Sequence, residues 1–131
     1  MNEQIVSLEV AKLLKRKGFN EFCALAYADE DLHLMSLNAT NFFIEEIGVG
    51  YSAPTQFIAA KWLRERHETN VSVLRMTERY GGAVSSNNLL KYFWHIQIPN
   101  RQSMVDVGVY YSTYEEAFEA GIKEALKYIG L

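Results

Sequence analysis

Tyr92-Phe93-Trp94-His95-Ile96-Gln97-Ile98 alternates between two sets of side chains, with Tyr92, Trp94, Ile96 and Ile98 set against Phe93, His95 and Gln97. A period of two marks a strand with one buried face. After the turn-forming Pro99-Asn100-Arg101-Gln102, the stretch 104–111 repeats the pattern, with Val105, Val107, Val109 and Tyr111 opposite Asp106, Gly108 and Tyr110. Two such runs joined by a few residues predict an antiparallel pair. The period then changes. Thr113-Tyr114-Glu115-Glu116 is a capping box, in which the threonine hydroxyl and the Glu116 carboxylate satisfy opposed backbone donors. Ala117, Phe118, Gly121, Ile122, Ala125, Leu126 and Ile129 follow at helical spacing, Glu119 and Lys123 form a favourable pair on the solvent side, and Gly130 stops the helix. Strand, turn, strand, helix in this order predicts an antiparallel sheet with a helix packed against it.

Working back towards the start, Val6, Val10, Leu13 and Leu14 predict a helix over 7–17, capped by Ser7 and closed by Gly18 with Phe19 packing back. Lys15, Arg16 and Lys17 crowd its last turn, where the helix dipole favours cations. The runs 22–27 and 32–37 predict two strands, with the polar Ala28-Asp29-Glu30-Asp31 as the hairpin turn between them. Residues 38–51 read as a connector with room for an extra strand or helical turn. A second long helix begins near Pro54, with Ser52 as its cap, and ends near His67; Thr55, Ile58, Ala59, Trp62 and Leu63 form its apolar stripe. A strand over 71–76 precedes a polar loop over 77–88. The expected fold is α+β, a two-layer sandwich in the order α-β-β-α-β-β-β-α, with an antiparallel sheet and helices packed mainly on one face. A single domain spans 1–131, with an α-β-β part over 1–50 and an α-β-β-β-α part over 51–131, and no linker between them.

Composition narrows the function. Apolar residues make up 49% of 131, ample for one core without staples. The formal charge of −3 argues against a nucleic-acid or other polyanion binder, which usually carries a basic excess. Cys23 is the only cysteine, in an apolar run, so no disulfide or thiolate metal cluster is expected and the thiol should be buried and inert. No stretch is apolar enough to span a membrane and the first residues lack a basic leader region, so a cytoplasmic address is expected.

Catalytic signatures are missing. The glycines at 81–82 lack the spacing of a phosphate loop, and His33, His67 and His95 are scattered over different elements. The acids at 29–31, 45–46 and 115–116 are neighbours in turns or a helix cap rather than pairs held across a cleft. The chain therefore reads as non-enzymatic, with no cofactor and no metal. One surface stands out. If helices cover the side bearing Trp94, Ile96, Val105, Val107 and Val109, then Phe93, His95, Gln97, Asp106, Gly108 and Tyr110 share the other, with Ser72 and Leu74 beside them. Either the first helix or the 38–51 segment covers that face, or it binds a second copy of the chain, a protein partner or a ligand. Phe93, His95, Gln97, Asp106 and Tyr110 are the candidate binding residues. Two other readings stay open: nucleic-acid association through Lys12, Lys15, Arg16 and Lys17 with Arg64 and Arg66, and a small enzyme pairing His95 with Asp106.

Several blocks carry a resemblance: Ser52-Ala53-Pro54-Thr55-Gln56, then Lys61-Trp62-Leu63-Arg64-Glu65 and His67, and later Thr113-Tyr114-Glu115-Glu116-Ala117 with Glu124-Ala125-Leu126. With Glu9-Val10-Ala11-Lys12-Leu13-Leu14-Lys15 they resemble a family of short proteins of gut-dwelling anaerobic bacteria and their phages and mobile elements. That resemblance implies no particular activity and does not extend over 71–98. The order of elements over 54–129 is also similar to double-stranded-RNA-binding domains. Those domains start their last helix with a basic Lys-Lys-x-Ala-Lys run, whereas Tyr114-Glu115-Glu116-Ala117-Phe118 here would repel phosphate. The closing helix also resembles that of HicB-type antitoxin domains; both likenesses concern the fold alone.

Overall fold

The computed structural model describes residues 4–28, 31–48, 50–75, 92–99, 103–105 and 109–129. The expected turns at 28–31 and 99–102 lie partly outside these residues; the loop over 77–88, Asp106, Val107, Gly108 and Gly130 lie wholly outside them. Among the described residues the order is α1 (Leu8–Arg16), β1 (Cys23–Ala28), β2 (His33–Ala39), α2 (Asn41–Ile47), β3 (Gly50–Ser52), α3 (Gln56–His67), β4 (Asn70–Arg75), β5 (Tyr92–Gln97), β6 (Met104–Val105) and α4 (Tyr114–Leu126).

The fold is α+β; among the described residues the pairing is antiparallel and forms two three-stranded sheets in the orders β2-β1-β3 and β4-β5-β6. The connector over 38–51 supplies both a helix and a strand: α2, and β3, which pairs with β1 from Ala26↔Ser52 to Ala28↔Gly50. α4 packs across β4 and β5, and α1 and α3 pack against α4. Val10, Leu14, Phe19, Leu63, Trp94, Ile96, Ile122 and Leu126 form the main core, while Ala26, Ala39 and Ile44 form a smaller one under α2. Gly121 lets α4 approach the sheet closely, since a Cβ there would lie 2.8 Å from Trp94 Cβ and 2.9 Å from Val71 Cγ1.

The helix ends follow the capping chemistry, with two corrections. Ser7 caps α1 by accepting from the Val10 N–H at 3.2 Å, and Gly18 at φ 95° lets the Phe19 N–H return to the Leu14 carbonyl. α3 is capped by Thr55, whose hydroxyl accepts from the Ile58 N–H at 3.1 Å. Ser52, expected in that role, is instead buried in β3. At α4 the Thr113 hydroxyl accepts from the Glu116 N–H at 3.1 Å as expected, but the Glu116 carboxylate, expected on a backbone donor, accepts instead from the hydroxyls of Ser112 and Thr113.

Candidate functional site

The face of β4-β5-β6 turned away from α4 gathers most of the residues expected there. Residues opposite each other in an antiparallel pair share a face. Leu74↔Phe93, Ser72↔His95 and Asn70↔Gln97 therefore lie together, on the face opposite the core residues Val71, Trp94 and Ile96. Phe93 meets Tyr110 edge to face, with ring centroids 6.0 Å apart at 89°. Such a pair contributes about 0.5–1.5 kcal/mol beyond its buried area. Phe93, His95 and Tyr110 are half-buried, and Gln97, the last residue of β5, is exposed. Asp106 lies outside the described residues, and the His95–Asp106 reading with it.

One member of the face was assigned to the wrong side. His95↔Val105 and Ile96↔Met104 are the partners, so Met104 joins the core and Val105 the outer face. Tyr92 pairs with Tyr111, in a different register, and this is why odd-numbered Val105 and even-numbered Tyr110 lie on one side. The elements expected as a cover pack elsewhere: α1 on α4 and β3, and α2 on β3.

A second surface, around α2, escaped the sequence reading. Thr40 caps this short helix by accepting from the Phe43 N–H at 3.3 Å. Asn41 is buried beneath it, donating to the Phe19 carbonyl at 2.8 Å and accepting from the Ser52 N–H at 2.8 Å. The Phe42 N–H donates to Asn20 Oδ1 at 2.7 Å, which ties the helix start to the segment that carries Phe22. Ile44 packs onto Gly50, where a Cβ would lie 2.8 Å from Ile44 Cγ2. With Asn41 and Ile44 facing inwards, Phe42, Phe43 and Ile47 face out, and all three are exposed. The threonine cap before Asn41 was the one local signal for this helix.

A cleft of about 750 Å³ opens where the starts of α1, α3 and α4 meet, lined among others by Ser7, Tyr27, Gln56, Thr113 and Glu119. Its polar groups are engaged with one another. Glu119 accepts from the Ser7 N–H at 2.8 Å and from Gln56 Nε2 at 3.0 Å, and the same amide donates to the Glu115 carbonyl at 2.9 Å. The Tyr27 hydroxyl donates to the Val6 carbonyl at 2.6 Å; burial and then the Glu119 charge raise its pKa above the usual range. Lys123, the expected partner of Glu119, is ion-paired with Glu9 at 2.6 Å instead. The cleft is a brace that ties three helix starts together. It needs Glu119 turned inwards, where the sequence placed it on the solvent side.

The basic side chains are distributed over separate contacts. Lys12 and Lys15 lie 5.8 and 5.0 Å from the Tyr51 ring centre, and Lys15 donates to the Gly50 carbonyl. Lys17 donates to the Ile129 carbonyl at 2.9 Å, and Arg66 lies 3.7 Å from Glu21. Lys17, Arg66 and His67 share a hollow of about 430 Å³ with Trp62, at the carboxyl ends of α1 and α3. Two helix carboxyl ends are negative poles and disfavour an anion there. Cys23 is buried as expected; burial, with Glu21 nearby, pushes its thiol up to about 11, against a smaller lowering by Ser52. Among the described residues no group of His, Cys, Asp or Glu is arranged to hold a metal, and no helix is long and apolar enough to cross a membrane. Comparison with protein-family models, curated proteins and solved structures finds no match to this chain.

Proposed function

We propose that this chain is a non-enzymatic protein-interaction module that associates with itself. The observation that supports it is the α2 surface, where Phe42, Phe43 and Ile47 stand exposed on a helix anchored from below by Asn41 and Ile44. Exposed apolar side chains gathered on one element and rimmed by polar residues, here Glu45 and Glu46, are a common mark of an interaction site. A cytoplasmic address and kinship with the short proteins of gut anaerobes and their mobile elements belong to the same proposal. Light scattering tests it: a dimer is the expected species, and a strict monomer with no partner in a pull-down would sink it.

A second reading, nucleic-acid association, draws on the side-by-side Lys12 and Lys15, while the hollow at Lys17 and Arg66, between two helix carboxyl ends, counts against it. It requires binding that weakens steeply with salt. The absence of a gel shift at low salt disposes of it.

A further inference from the structure

We infer that the chain pairs with a second copy across the outer edge of β3, so that the apolar and acidic α2 of each copy lies against the basic α1 of the other. This names the partner surface of the self-association proposed above and rests on that reading.

β3 is the last strand of its sheet, in the order β2-β1-β3. Side chains alternate along a strand, and here two helices take the two faces. The Tyr51 ring lies against α1, with Lys12 and Lys15 at 5.8 and 5.0 Å from its centre. On the other face Ile44 of α2 packs at Gly50, and Asn41 accepts from the Ser52 N–H. α1 and α2 therefore straddle the edge of β3. The edge backbone itself is engaged, since Lys15 donates to the Gly50 carbonyl at 3.2 Å and the Ser52 N–H is held by Asn41 at 2.8 Å. What the edge offers a partner is the side chains of the two helices.

Those side chains are of opposite charge. α2 exposes Glu45 and Glu46 beside Phe42, Phe43 and Ile47, and it contains no basic residue. α1 exposes Lys12 and Arg16, with Lys15 half-buried between them, and its one acid, Glu9, is paired with Lys123. Among the described residues none of Lys12, Lys15, Arg16, Glu45 and Glu46 is in an ion pair. A twofold interface must be complementary to itself, and this charge pattern selects one placement of the axis. An axis perpendicular to the sheet would set α1 on α1 and α2 on α2, like charge on like. An axis alongside β3, parallel to the strand, sets each α2 on the other copy's α1 and makes the same attraction twice. The long stems of Lys12 and Arg16 then give Phe42, Phe43 and Ile47 apolar surface to pack on. A nucleic-acid strand along this edge would answer α1 and be repelled by Glu45 and Glu46, whereas a second copy answers both signs.

Sedimentation equilibrium over a dilution series tests the inference on four samples: the wild type, Glu45→Lys with Glu46→Lys, Lys12→Glu with Arg16→Glu, and an equal mixture of the two variants. The wild type should be a dimer. Each variant alone should raise the dissociation constant at least about tenfold, because the twofold axis then sets like charges against each other at both contacts. Their mixture should pair nearly as tightly as the wild type, since the new lysines of one face the new glutamates of the other. A wild-type monomer throughout overturns both this inference and the reading beneath it. A dimeric wild type whose variants pair as tightly, or whose mixture is no tighter than either variant alone, overturns the inference and leaves self-association standing. The wild type decides the matter even if a variant fails to fold: its dissociation constant should rise at least about threefold between about 50 mM and about 500 mM salt. A dimer that salt does not weaken rejects the α1–α2 contact.

Discussion

Replacing Gly121 with alanine sets two effects of opposite sign against each other. Glycine inside a helix is about 1 kcal/mol less favourable than alanine, so α4 taken alone should be stabilised by the change. Against the sheet, the new Cβ would meet Trp94 Cβ at 2.8 Å and Val71 Cγ1 at 2.9 Å. Ordinary carbon contacts lie near 3.5–4.0 Å, so α4 must retreat by roughly 0.7 Å or both neighbours must shift. Neither neighbour yields easily, since one atom is the root of a buried tryptophan and the other belongs to a β-branched residue on a paired strand. Overpacking of this kind costs about 1–3 kcal/mol, so the clash should win by about 1 kcal/mol and the melting temperature should fall by roughly 3–6 °C. Thermal and urea denaturation followed by circular dichroism measure it. Val71→Ala combined with Gly121→Ala should prove less damaging than the two single effects added together, by at least about 0.5 kcal/mol. A Gly121→Ala protein as stable as the parent or more so refutes the packing argument.

Three further expectations concern the braced cleft and the thiol. Glu119→Ala should destabilise by about 2 kcal/mol, because it removes the acceptor for the Ser7 N–H and for Gln56, whereas Glu119→Gln, which keeps one acceptor oxygen, should cost about half as much; equal stability of all three proteins in urea would contradict the brace. Cys23 should react with a thiol reagent at neutral pH only as fast as the protein opens, and labelling of the native protein at a free-thiol rate speaks against its burial. Since the folded thiol is raised from 9.0 to about 11, the unfolded chain releases its proton first; this contribution is intact below about 9 and is lost as pH climbs towards 11, which urea titrations at successive alkaline pH values would register as falling stability.

What the sequence made legible is what neighbouring residues decide. The Thr113 box, the periodicity behind it, the Ser7 cap and the Gly18 close all concern groups a few residues apart, and α1 and α4 fell where the pattern put them. α2 reads as a connector because seven residues are too few to display a period; Asn41 and Ile44 hold it through contacts with Phe19, Ser52 and Gly50, six to 22 residues away and outside the helix. Five of the six strands were recognisable one by one, but the division into two sheets depends on the sixth, β3, which lay within the expected connector and returns to β1 across α2. At the candidate face, strict alternation from 104 to 111 put Val105 in the core, and the register actually adopted puts Met104 there instead. Glu119 followed the helical spacing to Lys123 on paper. In the fold, the Ser7 N–H and Gln56 compete for the same carboxylate and take it, and Lys123 turns to Glu9. The exposed phenylalanines of α2 could not be told from core residues without knowing which side Ile44 would choose.

The most direct test of self-association is the mass of the unmodified protein by sedimentation equilibrium from micromolar concentrations upward. The account predicts a species of twice the 15.0 kDa chain mass that dissociates on dilution. A mass of one chain at every concentration would contradict it.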